Sequence, residues 1–244
     1  MPTEISLLTE ADIPAAVSAV QEAFADDPYY NWVFDTAKFD KRRNTASVGI
    51  RCRSGIRQGL YYIAKDGETG KTLGVSMWLP PRPTDRPQSW SSWLDDWRVW
   101  LEQVGMNLWY GRGGLNLKRY WIWRKAQAQA HEEIWTDPRG YYFLNIMVVT
   151  SEARGRGIGR RLVAAVTDRA DREGMPCYLE SSKAAPNIQI YERLGFRLAG
   201  DIVCEDEDED GGGESSVKLY CMIRDPQPQV SSLARGKEED LHQA

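Results

Sequence analysis

Residues 141–149 read Tyr-Tyr-Phe-Leu-Asn-Ile-Met-Val-Val, and a turn rich in arginine and glycine follows within five residues. No other feature narrows the fold so far. A near-continuous apolar run of strand length is what a central strand covered on both faces requires. Its sequel, Arg154-Gly155-Arg156-Gly157-Ile158-Gly159-Arg160-Arg161, opens onto an amphipathic helix from Arg160 to Glu173, with Leu162, Val163 and Val166 inward and Gly174 at its end. Cys177 to Leu179 reads as the next short strand. A strand, a crossover helix and a second strand make a parallel pair.

The flanks read as antiparallel. Residues 4–8 alternate as a short strand, and Thr9 caps a helix that presents Ile13, Val17, Val20 and Phe24 on one face until Asp26-Asp27-Pro28 stops it. Tyr29, Tyr30, Trp32 and Phe34 follow as an aromatic loop, then a helix over 37–57 and two strands over 60–64 and 72–79. A short helix over 186–194 leads to antiparallel strands over 196–204 and 216–223. The expectation is a mixed-sheet α/β domain spanning 1–224, with a helical insert at 80–140 and a polar tail at 225–244. Trp90, Trp93, Trp97 and Trp100 recur in the insert at 3-4-3 spacing, one stripe of a helix. The stripe has two readings: packing of the insert onto the sheet, or an apolar acceptor pocket.

The charge balance looks hostile to anions, with 31 Lys and Arg against 35 Asp and Glu in 244 residues. Location reverses that impression. Residues 205–214 carry seven acids and end in a glycine run, which reads as a solvated loop, and the remainder keeps 31 bases against 28 acids. Four cysteines without a CxxC pair and only two histidines argue against a zinc site or a disulfide framework, and so for reduced thiols in the cytoplasm. No apolar stretch approaches the roughly 18–20 residues of a membrane span. No secretory signal is visible at the N-terminus, and a basic face wide enough for nucleic acid is not evident.

Chemistry concentrates at Arg154–Arg161. Glycines let backbone N–H groups approach a ligand, and the helix directs its positive end at the same place, which makes an anion cradle. The turn lacks the Gly-Lys-Ser/Thr ending of a phosphate-binding P-loop and the acidic ribose partner of a dinucleotide fold. Arg-x-x-Gly-x-Gly after an apolar strand, with Tyr191-Glu-Arg-Leu-Gly-Phe196 some thirty residues on, resembles the GNAT superfamily of acyl-CoA N-acetyltransferases. The resemblance covers 141–223 well and 1–79 loosely, and leaves the insert outside.

The resemblance implies a fold with splayed central strands and acetyl-CoA as cosubstrate, with no metal. Backbone groups of Met147, Val148 and Val149 would hold the pantetheine arm, and the N–H groups of Arg154, Gly155, Arg156, Gly157, Ile158, Gly159 and Arg160 the pyrophosphate. Tyr191 matches the tyrosine that protonates the departing thiolate, although a tyrosine packed under the sheet would read the same. Asn187 stands four residues before Tyr191 where many members have an asparagine seven before, and the loop opens on arginine rather than glutamine. For the base that deprotonates the amine, Glu180 is the better-placed acid, with a capping or ion-pair role equally open, while Asn145 could hold a water and His131 reads as structural. Tyr29, Tyr30, Trp32, Phe34 and the insert would wall the acceptor site. The expected activity is acetyl transfer to a small amine by direct attack in a ternary complex, in a fungal-type small-molecule member. A protein lysine or N-terminal acceptor, and a CoA-binding module without turnover, are the alternatives. The sequence gives no oligomeric state.

Overall fold

The computed structural model describes residues 2–58, 60–85, 89–135, 137–207 and 215–228. Most of the acidic run and most of the C-terminal tail lie outside the described residues. Among those described, seven strands form one sheet in the order β1-β2-β3-β4-β5-β7-β6. They are β1 (Thr3–Leu7), β2 (Tyr61–Asp66), β3 (Thr72–Leu79), β4 (Tyr142–Val149), β5 (Cys177–Ser181), β6 (Arg197–Glu205) and β7 (Ser216–Arg224). Only β4 and β5 pair in parallel; every other neighbour is antiparallel. The helices are α1 (Ile13–Ala23), α2 (Pro28–Val33), α3 (Lys41–Gln58), α4 (Trp90–Tyr110), α5 (Leu117–Ile134), α6 (Ile158–Glu173) and α7 (Asn187–Glu192).

The mixed α/β sheet expected from the sequence is therefore present, with two local corrections. The aromatic segment after Asp27 is helical. Proline is tolerated in a first helical turn, and the Asp27 carboxylate accepts the Tyr30 N–H, so the residues that stop α1 also start α2. The first helix starts later than expected. Thr9 and Asp12 close a box around a single 3-10 turn, with the Asp12 carboxylate accepting the Thr9 N–H at 3.1 Å and its hydroxyl at 2.7 Å, and α1 begins at Ile13.

β4 decides the geometry of the molecule. Trp78 pairs with Leu144 but Met77 pairs with Ile146, so Asn145 is an extra residue, a β-bulge. A bulge flips the faces of every residue beyond it. Before it, Tyr142 and Leu144 pack in a cluster with Val163 and Val166 of α6. After it, Ile146 and Val148 pack with Val17 and Val20 of α1 on the opposite face, while Met147 and Val149 turn to Ile158 and Leu162 of α6. Asn145 is the exposed residue of β4.

Two carboxylates, Asp171 and Asp206, tie the last two strands to helices. Arg224 at the end of β7 reaches Asp171 of α6 through two guanidinium nitrogens, at 2.7 and 2.8 Å; Arg224 is buried and Asp171 largely covered. The Gln227 N–H adds a bond to Asp171, so the tail is tied down at its start rather than free from Asp225 onward. Asp206 corrects the solvated-loop reading at its edge: it is buried, and Lys118 and Arg119 of α5 both bond its carboxylate.

The tryptophan stripe does not pack onto the sheet. Trp90, Trp93, Trp97 and Trp100 remain 79%, 43%, 48% and 54% exposed, and Met106 is the buried residue of α4. The reason lies on the opposite side of the helix. Asp95, Glu102 and Asn107 take the bonds of Arg57, Arg53 and Arg43 on α3, so the polar side of α4 faces the protein.

Candidate active site

The site is built around a parting of strands. β4 and β5 stay paired from Tyr142 with Cys177 to Leu144 with Leu179 and no farther. Beyond that, Glu180 and Ser181 pair only with β7, and β4 bends away at Asn145. The edge of Asn145–Val149 that faces β5 therefore presents backbone N–H and C=O groups to an open crevice. Unpaired groups there are donors and acceptors for a ligand that lies along the strand.

The glycine turn lies at the end of the same strand. After a 3-10 turn over Ser151–Ala153, Gly155 and Gly157 take φ of 76° and 73°, with open space where a Cβ would project. Left-handed backbone is costly for residues with a Cβ, which explains glycine here. α6 starts at Ile158, whose side chain is buried beneath the turn, and its first intrahelical bond runs from the Arg161 N–H to the Gly157 carbonyl. The N–H groups of Ile158, Gly159 and Arg160 are thus the unpaired donors of a helix start, at the positive end of a 16-residue helix. A Cβ on Gly159 would lie 3.3 Å from Met147 Cε, so glycine lets α6 sit close against β4. Arg154, Arg156 and Arg160 surround the turn with exposed charge. These groups fit a diphosphate: donors without partners, no competing carboxylate bonded to them among the described residues, and room at both glycines.

We expect Gly157→Val to weaken this cradle selectively. Valine at φ near +70° is strained by sterics, so the turn must move and take its N–H groups with it. Calorimetric titration should show CoA affinity reduced by about tenfold or more, equivalent to roughly 1.4 kcal/mol. Unchanged affinity would mean that the cradle does not hold the diphosphate.

Tyr191 sits on α7, half-buried, its ring edge-on to Phe196 with centroids 6.0 Å apart. Burial pushes its phenol up to about 12, so it stays protonated throughout the neutral range. No protein group bonds its hydroxyl among the described residues. Asn187, on the same helix, is engaged within the fold: its amide donates to Ser181 Oγ at 2.9 Å, and Ser181 Oγ donates to the Lys183 carbonyl at 2.9 Å. This holds the start of α7 against the end of β5.

Glu180 lies one residue past the last β4–β5 pair, its side chain only 6% exposed. Three residues bond it: Gln127 Nε2 at 2.8 and 3.1 Å, His131 Nε2 at 2.9 Å and the Tyr178 hydroxyl at 3.0 Å. His131 Nδ1 is in turn 2.7 Å from the Tyr141 hydroxyl. With an ionised Glu180, Nε2 carries the proton and Nδ1 accepts from Tyr141. Burial, with the Glu180 charge beside them, pushes both the Tyr178 and Tyr141 phenols up. Sequence reasoning found Glu180 but not its partners Gln127 and His131, which come from a helix about fifty residues away; the scarcity of histidine, with His131 one of two, was the signal available.

The aromatic residues of α2 divide. Trp32 is 1% exposed and belongs to the core, with the Arg119 guanidinium 5.3 Å from its ring and bonded to its carbonyl, so it is not a wall of any cleft. Tyr29 packs on Trp123 of α5 at 5.1 Å. Tyr30 and Phe34 line a cavity of about 620 Å³ between α1, α2 and α3, together with Phe24 and Phe39. Their rings follow one another at 5.2, 5.5 and 5.5 Å, and Glu22 stands in the lining. The cavity shares Val20 and Phe24 with the cluster that buries Ile146, the first residue past the bulge. Asp27, which caps α2, also accepts the Ser182 hydroxyl and so ties this wall to the end of β5.

Comparison with known proteins follows the same lines. Residues 117–198 match the acetyltransferase (GNAT) domain family, a segment that runs from α5 through the bulge, the glycine turn and α7. The match begins at Leu117, so α5 belongs with the family segment although the sequence reading set the whole insert apart. An uncharacterized N-acetyltransferase of Schizosaccharomyces pombe is 27% identical over 93% of this chain and 85% of its own length. The fold is similar to that of a Drosophila melanogaster polyamine N-acetyltransferase, described as forming N-acetylagmatine, with a TM-score of 0.61 at 13% identity over 92% of this chain and 100% of that one. It is also similar to a histone acetyltransferase HPA2 and related acetyltransferase of Corynebacterium glutamicum, with a TM-score of 0.54 at 20% identity over 94% and 100%. Strands parting at a bulge, a glycine turn opening a helix beside them and the matched segment running through both make the fold of this chain similar to that of GNAT acetyltransferases.

Proposed function

We propose that this protein transfers the acetyl group of acetyl-CoA to a small amine with a hydrophobic or aromatic body, by direct attack in a ternary complex, as a fungal-type small-molecule member of its superfamily. The observation that carries the proposal is the position of the parted strands. The donor-rich turn of α6 borders them on one face of the sheet, and the aromatic cavity joins the core behind the bulge on the other.

The N–H groups from Arg154 to Arg160 would hold the diphosphate, and the open edge of Met147–Val149 the pantetheine arm. Bound acetyl-CoA supplies a thioester and a thiolate leaving group. A backbone N–H at the parted strand, fixed by the bulge, is pre-aimed at a carbonyl oxygen that gains charge. Tyr191 keeps its proton at neutral pH and donates it to the departing sulfur. Glu180, held in one orientation by Gln127, His131 and Tyr178, takes the proton of the attacking amine. The ring faces of Tyr30 and Phe34 attract an ammonium head, with Glu22 as counter-charge.

Direct attack is favoured by the state of the thiols. An acetylated-enzyme route needs a reactive thiolate. All four cysteines are buried and unpaired, and burial pushes Cys52, Cys204 and Cys221 up to about 11 and Cys177 up to about 12. Free, unreactive thiols also suit the reducing cytoplasm.

The test is release of CoA thiol across a panel of aliphatic, aromatic and polyamine acceptors, with lysine-containing and N-terminal peptides as a separate arm. The expected result is turnover with hydrophobic or aromatic amines, and a KM raised about tenfold by Phe34→Ala with kcat little changed, the pattern of lost uniform binding. Turnover confined to peptides would replace the acceptor reading. Acetyl-CoA binding without turnover on any arm would make the chain a binding module.

A further inference from the structure

We propose that α4 and the turn that follows it form a contact surface for an anionic lipid bilayer, with α4 lying along the membrane plane. The ground is an amphipathic helix mounted inside out. A surface helix ordinarily turns its apolar stripe to the core. Here the polar side is clamped to α3: Arg53 Nη2 bonds Glu102 at 3.0 Å, Ser54 Oγ bonds Asp95 at 2.8 Å, and Arg43 Nη2 bonds Asn107 at 2.9 Å. The stripe is left outward, with Trp93, Leu94, Trp97, Trp100 and Leu101 each between 43% and 58% exposed. The strip continues toward the end of the helix, where Leu108, on the same line as Leu101, is 84% exposed. A soluble monomer rarely exposes a contiguous apolar patch of this kind without a use for it.

Charge and side-chain type decide the occupant. Residues 103–131 contain no Asp or Glu and five Arg and Lys. Three of these, Arg112, Arg124 and Lys125, are exposed in the turn and the first half of α5, near the exposed Trp121 in sequence. Tryptophan and leucine beside basic residues match the boundary between acyl chains and anionic headgroups, where the indole places its ring in the apolar layer and its N–H in the polar one. A second copy of the chain fits less well. Tryptophans alternating along one seam are too bulky for regular knobs-into-holes packing, and a two-fold axis would bring the basic turns of like sign into one interface. No helix among the described residues is long and apolar enough to cross a bilayer, so the contact is with its surface. The sequence expectation of no membrane partner rested on the lack of a span, which does not bear on a helix that lies flat.

Vesicle flotation with the full chain tests this, using phosphatidylcholine vesicles with and without about 30% phosphatidylserine. The expected result is co-flotation with the anionic vesicles, a blue shift of tryptophan emission, and release as salt rises, since screening acts on the headgroup attraction. The triple substitution Trp93→Ser, Trp97→Ser, Trp100→Ser should reduce the bound fraction at least about tenfold, as lost apolar burial weakens interfacial binding. Arg124→Gln with Lys125→Gln should lower binding to the anionic vesicles while leaving the stripe intact. Because the altered side chains are exposed, unchanged CoA affinity and melting temperature will show that each variant is folded. No flotation, equal flotation with pure phosphatidylcholine, or a stable dimer in solution that the triple substitution dissociates would each overturn the proposal.

Discussion

Tyr191→Phe is expected to lower kcat about 100-fold at pH 7 while leaving CoA affinity unchanged, the lower end of what a positioned general acid contributes. The substitution removes one oxygen from a half-buried ring and keeps the edge-on contact with Phe196. Packing is preserved, so a loss of rate belongs to the proton. The pH dependence separates this from a structural effect. With its phenol pushed up to about 12, Tyr191 remains a donor across the whole working range. A leaving thiol with a pKa near 8.5, the ordinary value for a thiol, needs that proton below this pH and can leave as thiolate above it. The deficit of the variant should therefore narrow as pH rises from about 7 to about 10. A constant deficit would assign Tyr191 to packing or positioning, and no deficit would remove it from the chemistry.

Arg224→Ala should destabilise the fold by about 3–5 kcal/mol, which for a domain of this size lowers Tm by about 10 °C. The pair is bidentate, with Arg224 buried and Asp171 largely covered, and it joins the last strand to α6. In the intact protein burial raises the Asp171 pKa, but the guanidinium and the Gln227 N–H outweigh it, so the carboxyl sits below its usual value. A depressed folded pKa gives stability that is present above the unfolded pKa and is lost as pH falls through the folded one. Without Arg224 the balance changes sign. Burial then dominates, the folded pKa rises above the unfolded one, and the variant recovers part of its deficit as pH falls. Thermal melts of both proteins at pH 7.5 and about pH 4.5 check this. A ΔΔG under about 1 kcal/mol at neutral pH, the level of an exposed pair, would show the contact to be incidental.

Both residues illustrate what can be read in a linear chain. Tyr191 was legible as a candidate because its spacing to Gly195 and Phe196 resembles the family motif. Arg224 was not, because its partner lies 53 residues away and charge pairs carry no spacing rule. The same division runs through the site. The glycine turn declared itself, since left-handed backbone and unpaired helix donors are properties of neighbouring residues. The bulge at Asn145 did not, because an apolar run reads alike with or without an extra residue in its partner's register. Trp32 reads as a cleft wall from its place in the aromatic segment after Asp27, whereas the fold buries it under Arg119. The tryptophan stripe was recognised as one helix face, but its direction was a tertiary matter: three arginines of α3 claimed the polar side of α4.

By itself, then, the sequence determined the order of strands and helices, the parallel pair at the centre and the glycine turn that opens α6. Each follows from periodicity, capping and backbone sterics, which act over a few residues. Tertiary structure alone decided where β4 parts from β5, that His131 and Gln127 orient Glu180, which aromatics line the cavity and which way α4 faces. Those depend on register and on pairings between distant side chains, which no short-range rule encodes.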